Sequence, residues 1–259
     1  MRHHLPDSHY ASQETNVEPQ TERKPVIDCD IHNVVPSFQT LKPYLTRHWQ
    51  EFFSQSGFRG PAASTIYTSG GPILADVDVH PAIGGPPGSD LRLLQEQILD
   101  PLNIDYGILN CGYAVESMRN PYASEALASA VNDWQLAEWL EPESRLRASL
   151  VVPSQDPDLA VKEIERLGNH SSFVQIFLPV RSPELYGQRR FFPYEAAVEH
   201  NLAIGIHFGA NRGPHPQLPA GLVITLKNMP AWPNSFNRSS SALWWKGFSS
   251  SSRLCVWSS

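Results

Sequence analysis

The stretch Val26-Ile27-Asp28-Cys29-Asp30-Ile31-His32 decides how the rest of the chain is read. Its apolar and β-branched residues predict a strand, and the two-residue period of a strand puts Asp28, Asp30 and His32 on one face. An oxygen donor beside an imidazole at a strand end suits zinc or a similar divalent ion. The bland alternative is that Asp30 caps the following turn while His32 is a polar strand-end residue.

Downstream, strand-like and helical stretches alternate, the order expected of βα units around a parallel sheet. Strands are expected at 106–110, 146–152, 173–178 and 202–207. Helices are expected at 91–99, 124–140, 156–167 and 193–200, the third capped by Asp156 or Asp158 and stopped by Gly168. Residues 36–89, interrupted by seven prolines and the loop-like GGPPGS at 84–89, read as an insertion after the first strand. Five strands, four of them preceded by helices, curl toward a barrel when such units succeed one another with right-handed connections.

Composition narrows the function classes. The 259 residues carry a net charge of −6, which offers no basic field for nucleic acid, so a small-molecule substrate is expected instead. Cys29, Cys111 and Cys255 lack the paired spacing of a disulfide framework or a CxxC zinc site. No apolar run reaches membrane-spanning length and residues 1–24 lack a signal-peptide core, so a disordered polar lead and a cytoplasmic location are expected. Self-association into a homo-oligomer is left open.

Beyond Gly221 the sequence changes character. Residues 222–259 hold four of the seven tryptophans, two serine runs, and Lys227, Arg238, Lys246 and Arg253 against no acid. No helix or strand period is read there. The expected organisation is therefore a lead over 1–24, a partial barrel domain over 25–221 and an aberrant Ser/Trp-rich tail over 222–259, as an out-of-frame segment would produce.

A second candidate ligand supports the first pair. His207 ends the apolar run Leu202-Ala203-Ile204-Gly205-Ile206, and the small Gly205 and Gly209 leave room beside it. On the loops of the same face, Arg181, Arg189 and Arg190 could grip a substrate carboxylate, and His215 could reach the site. Solvation is the plainer reading of each.

Residues 25 to about 213 resemble the amidohydrolase-related family that includes aminocarboxymuconate-semialdehyde decarboxylase and gamma-resorcylate decarboxylase. The resemblance rests on VIDCDIHNVVP at 26–36, DYGILNCGY at 105–113, RLRASLVVPSQDPDLAVKEIERL at 145–167 and FFPYEAAVEHNLAIGIHFG at 191–209. It implies an α/β fold, the TIM-type (β/α)8 metal-dependent hydrolase barrel, incomplete here at about five βα units. It also implies one divalent metal ion, zinc being the expected one. In that family the ion is held by an acid or histidine and a histidine on strand one, a histidine on strand five and an aspartate on strand eight. Asp30 and His32 match the first pair and His207 the third position.

Two departures qualify what the resemblance implies. No aspartate follows Asp158, so no residue here matches the strand-eight carboxylate and no catalytic residue is assigned. Strand four carries Gln175 where two-metal relatives have a lysine, which points to a single metal. The expected activity is hydrolysis through a metal-activated water, with non-oxidative decarboxylation of an aromatic or unsaturated acid and an inactive fragment as the alternatives.

Overall fold

The computed structural model describes residues 23–61, 80–82, 84–179, 186, 188–190 and 195–207. It adds the backbone of short strands at 181–182, 215–216, 223–226 and 256–257. The strands are β1 (Ile27–Ile31), β2 (Tyr106–Leu109), β3 (Leu146–Val151), β4 (Phe173–Pro179), β5 (Arg181–Ser182), β6 (Ala203–His207), β7 (His215–Pro216), β8 (Val223–Leu226) and β9 (Val256–Trp257). The helices are α1 (Phe38–Leu41), α2 (Arg47–Gln55), α3 (Leu91–Leu94), α4 (Pro121–Gln135), α5 (Pro157–Leu167) and α6 (Glu195–Glu199).

β1, β2, β3, β4 and β6 form a parallel sheet in that order. Their C-terminal ends therefore lie along one edge, the edge on which barrels of this type carry their chemistry. The sheet is curled. Five flat strands spaced about 4.8 Å apart would hold β1 and β6 about 19 Å from each other, yet Asp30 Oδ1 on β1 lies 2.8 Å from His207 Nε2 on β6. Only an inward-curving sheet can close that gap, so the fold is an incomplete TIM-type barrel.

Local chemistry accounts for the elements. Asn120 caps α4 by accepting from the backbone N–H groups of Tyr122 and Ala123, with Pro121 at the first helical position, where a missing N–H costs nothing. Of the two acids at the start of α5, Asp156 is the cap, accepting from Leu159 N. Both helices lie on the sheet's outer face through Leu127, Val131, Trp134, Ala160 and Ile164, buried with Leu146, Leu150, Ile176 and Leu178 in one apolar core. A polar bolt crosses that layer. Asn132 accepts from Val151 N and donates to Val151 O and to Glu163, and Arg166 pairs with Glu163 and Asp133.

Three features differ from the sequence reading. The insertion carries α1, a 3-10 turn and α2 up to Gln55, because Pro36 precedes α1 and Pro43 falls at the start of the 3-10 turn, where a missing N–H is tolerated. Gly168 ends α5 in an ordinary right-handed conformation with φ −63°, so flexibility is not why glycine stands there. A Cβ would sit 2.5 Å from Ile164 O and 2.8 Å from His200 Cγ, so it is close approach that excludes a side chain. Beyond Gly221, where no strand is read, β8 pairs antiparallel with β6 and β9 antiparallel with β8. The run Val223-Ile224-Thr225-Leu226 is too short to show a period among the surrounding tryptophans and serines. Residues 1–22 of the polar lead, and the side chains of 208–259, lie outside the described residues.

Replacing Gly168 by alanine should destabilise the fold by about 1–3 kcal/mol, the usual cost of forcing a group into filled space. Chemical denaturation followed by circular dichroism would measure it, and an unchanged midpoint would contradict the close packing of α5 against His200.

Candidate metal and substrate site

The parallel edge brings Asp30, His32 and His207 together. One donor atom from each lies within 4.8 Å of the others. Asp30 belongs to β1, His32 follows it directly, and His207 is the last residue of β6, opposite Pro179 of β4 in register. The two imidazoles meet edge to face with centroids 4.8 Å apart, while His207 also stacks on Phe177 at 5.6 Å. Asp30 Oδ1 lies 3.5 Å from His32 Nε2.

Electrostatics favours the metal-ligating forms of Asp30 and His32. Burial pushes the Asp30 carboxyl up, but the hydrogen bond and charge of His207, together with His32 and the Asn110 amide, outweigh it and leave the carboxyl below its ordinary value. Burial, reinforced by the neighbouring His207, lowers the His32 imidazole, favouring its neutral form. A carboxylate and a neutral imidazole are the forms that donate to a cation. His32 Nδ1 lies 3.2 Å from the Asn110 carbonyl, an acceptor that places the ring proton on Nδ1 and leaves the Nε2 lone pair facing Asp30.

Of the other sequence-derived candidates, only Arg189 and Arg190 have described side chains. Arg190 is exposed and donates to the Gln155 carbonyl at 2.9 Å, and Arg189 is exposed beside it. The side chains of Arg181 and His215 lie outside the described residues, although their backbones pair as β5 and β7.

Sequence reasoning missed the polar groups around the trio. Asn110, at the end of β2 and almost wholly buried, donates from Nδ2 to Asp30 Oδ1 at 3.0 Å and to the Cys29 carbonyl at 3.1 Å. Sequence reasoning also missed the rim. Among the described residues, the buried side-chain atoms without a hydrogen-bond partner are Asn33 Oδ1, Tyr113 Oη, Glu116 Oε1 and Gln155 Oε1. All four residues stand on segments that follow the C-terminal ends of β1, β2 and β3, where substrate contacts are made in barrels of this kind. Ala114, between two of them, holds a left-handed φ of 59°, a strained conformation for a residue with a Cβ. No sequence signal distinguishes these residues from ordinary loop polar groups.

A family model described as amidohydrolase matches residues 27–233. The chain belongs to the amidohydrolase family. Among solved structures similar to this chain is 5-carboxyvanillate decarboxylase from Novosphingobium aromaticivorans, complexed with manganese and 4-hydroxy-3-methoxy-5-nitrobenzoic acid. It is 18% identical over 71% of this chain and 50% of that one, with a TM-score of 0.51. Two others are 2,6-dihydroxybenzoate decarboxylase from Rhizobium (20% identity, 75% and 52% coverage, TM-score 0.46) and a dihydroxybenzoic acid decarboxylase from a Polaromonas species with manganese and 2-nitroresorcinol (19%, 75% and 51%, TM-score 0.48). The chain thus spans about half the length of the solved structures it matches. The match passes Gly221, where the sequence reading ends its barrel domain. No curated protein sequence matches significantly. Among the described residues, no helix is long and apolar enough to cross a membrane.

Burial pushes the Glu116 carboxyl up to about 7. A carboxyl raised in the folded state stabilises below its unfolded value and loses that contribution as pH rises through its folded value. Glu116→Gln should therefore match the wild type near pH 4 and exceed it by roughly 3 kcal/mol at pH 8. Urea unfolding across that range tests it, and parallel stability curves for the two proteins would refute a buried, unpartnered Glu116.

Proposed function

We propose that this amidohydrolase binds one divalent metal ion through Asp30, His32 and His207 and serves the non-oxidative decarboxylation of a small aromatic carboxylic acid. The observation that carries the metal assignment is the convergence of one carboxylate and two imidazoles within 4.8 Å at the chemical edge of a barrel sheet. A carboxylate with two histidines is a donor set that catalytic metal sites use, leaving positions open for substrate. Gln175 on β4 supports a single ion, because an amide cannot take the place of a bridging modified lysine. When bound, the ion supplies Lewis-acid polarisation and a fixed point for a substrate oxygen.

The chain's own residues prepare that chemistry. Neutral His32 and ionised Asp30 hold their donor forms without needing to lose a proton first. The Phe177 face stacked on His207 limits rotation of that imidazole and excludes water from one side of it. Unpartnered Tyr113 and Glu116, on the segment following β2, are groups a polar substrate could satisfy. Protonated Glu116 can donate a hydrogen bond, which suits a carboxylate or phenol oxygen.

Support for decarboxylation over hydrolysis comes from the manganese-bound decarboxylase that shares the fold. Hydrolysis of an amide or lactone at the same donors is the second reading, favoured by the family to which the chain belongs. Imidazole suits zinc and carboxylate suits manganese, so a mixed set of this kind accommodates either. A cytoplasmic location agrees with the free thiol of Cys111.

The full chain, purified and assayed by elemental analysis, should carry one divalent ion, and His207→Ala and Asp30→Asn should reduce its content to near background. Turnover measured on hydroxylated benzoates and on simple amides and lactones should release carbon dioxide from the benzoates, with at least a hundredfold loss in either variant. Equal metal content in wild type and variants would sink the metal assignment. Hydrolysis without decarboxylation would select the second reading.

A further inference from the structure

Beneath the proposed metal ligands lies a second tier of polar side chains that the metal reading alone does not require. Asn110 Oδ1 accepts from Ser149 Oγ of β3 at 2.5 Å and from Gln175 Nε2 of β4 at 3.0 Å, and Gln175 Nε2 also donates to Ser149 Oγ at 2.6 Å. Asn110, Ser149 and Gln175 are all buried, and Ser149 stands directly opposite Gln175 in the β3–β4 register. The Gln175 amide lies flat against β6, where Gly205 makes room: a Cβ there would come within 3.1 Å of Gln175 Cδ and Nε2.

An asparagine amide has two faces of opposite character, and which one points at Asp30 matters. With its oxygen turned toward the carboxylate it would repel Asp30, whereas with its NH2 turned that way it donates. Ser149 and Gln175 both present hydrogens to the oxygen end, so the amide has one satisfied orientation, with Nδ2 toward Asp30 Oδ1 and the Cys29 carbonyl. The same residue's backbone carbonyl receives His32 Nδ1. One residue therefore touches both members of the strand-one pair, orienting the carboxylate through its side chain and selecting the imidazole tautomer through its main chain.

We infer that Asn110 is the positioning residue of this site, held in orientation by Ser149 and Gln175, and that it sets metal affinity without itself contacting the ion. The inference rests on the metal reading of Asp30, His32 and His207. Residues of this kind around a metal site contribute about 10- to 100-fold in affinity.

The test is manganese binding to the full chain, stripped with chelator, followed by calorimetry or by the loss of the free-ion electron paramagnetic resonance signal. Asn110→Ala should weaken manganese binding 10- to 100-fold. Ser149→Ala, a smaller change that leaves the packing nearly intact, should weaken it in the same direction by several-fold. Glu163→Gln, in the polar bolt between α4 and α5, serves as the structural control. It should lower thermal stability while leaving manganese affinity unchanged, which separates positioning from simple loosening of the fold. If Asn110→Ala does not fold, Ser149→Ala carries the decision. Wild-type binding that is abolished in His207→Ala but unaltered in the Asn110 and Ser149 variants would overturn the inference and leave the metal reading standing. A wild type that binds no manganese, or binds it equally in His207→Ala, would overturn both.

Discussion

The contact between Asp30 and His207 is the constraint on which the rest of the site depends. The residues are 177 positions apart in sequence and sit on β1 and β6, with three strands between them. They meet at 2.8 Å because the parallel sheet curls, with helices between its successive parallel strands and α4 and α5 packed on its outer face. The Asn132–Glu163–Arg166 bolt fastens α4 and α5 to each other and to β3 without touching the candidate donors, so it contributes stability rather than ligand geometry.

Placing polar groups inside a barrel normally costs stability, since an unsatisfied buried donor or acceptor costs about 1–3 kcal/mol. Around Asp30 that cost is offset almost completely. Asn110 uses both ends of its amide, Ser149 both donates and accepts, and Gln175 donates twice. The rim is arranged oppositely. Asn33, Tyr113, Glu116 and Gln155 each bury an atom with no partner, and Ala114 holds a left-handed conformation among them. The side chains around Asp30 are thus satisfied, whereas these four atoms, on segments that follow the C-terminal ends of β1, β2 and β3, are not.

Much of this was legible in residue type and spacing. A strand's alternation placed Asp30 and His32 on one face, and an apolar run ending in His207 placed a third donor at a strand end, so the ligand candidates could be named without coordinates. Alternating strand and helix patterns from 106 to 207 carried the βα order, because apolar periodicity is a local property. Short elements in crowded contexts did not show themselves: α1 and α2 hid among prolines, and β8 among tryptophans and serines.

The sequence by itself determined the βα succession and named three candidate donors, since both follow from local alternation and side-chain chemistry. Only the tertiary structure decided that the donors meet, that Asn110 faces Asp30 with its NH2 rather than its oxygen, and that Gly205 stands where Gln175 must cross β6. The physical reason is that curvature and amide orientation are set by partners on other strands. No window of sequence contains Asn110, Ser149, Gln175 and Gly205 together, and each alone reads as an ordinary buried residue.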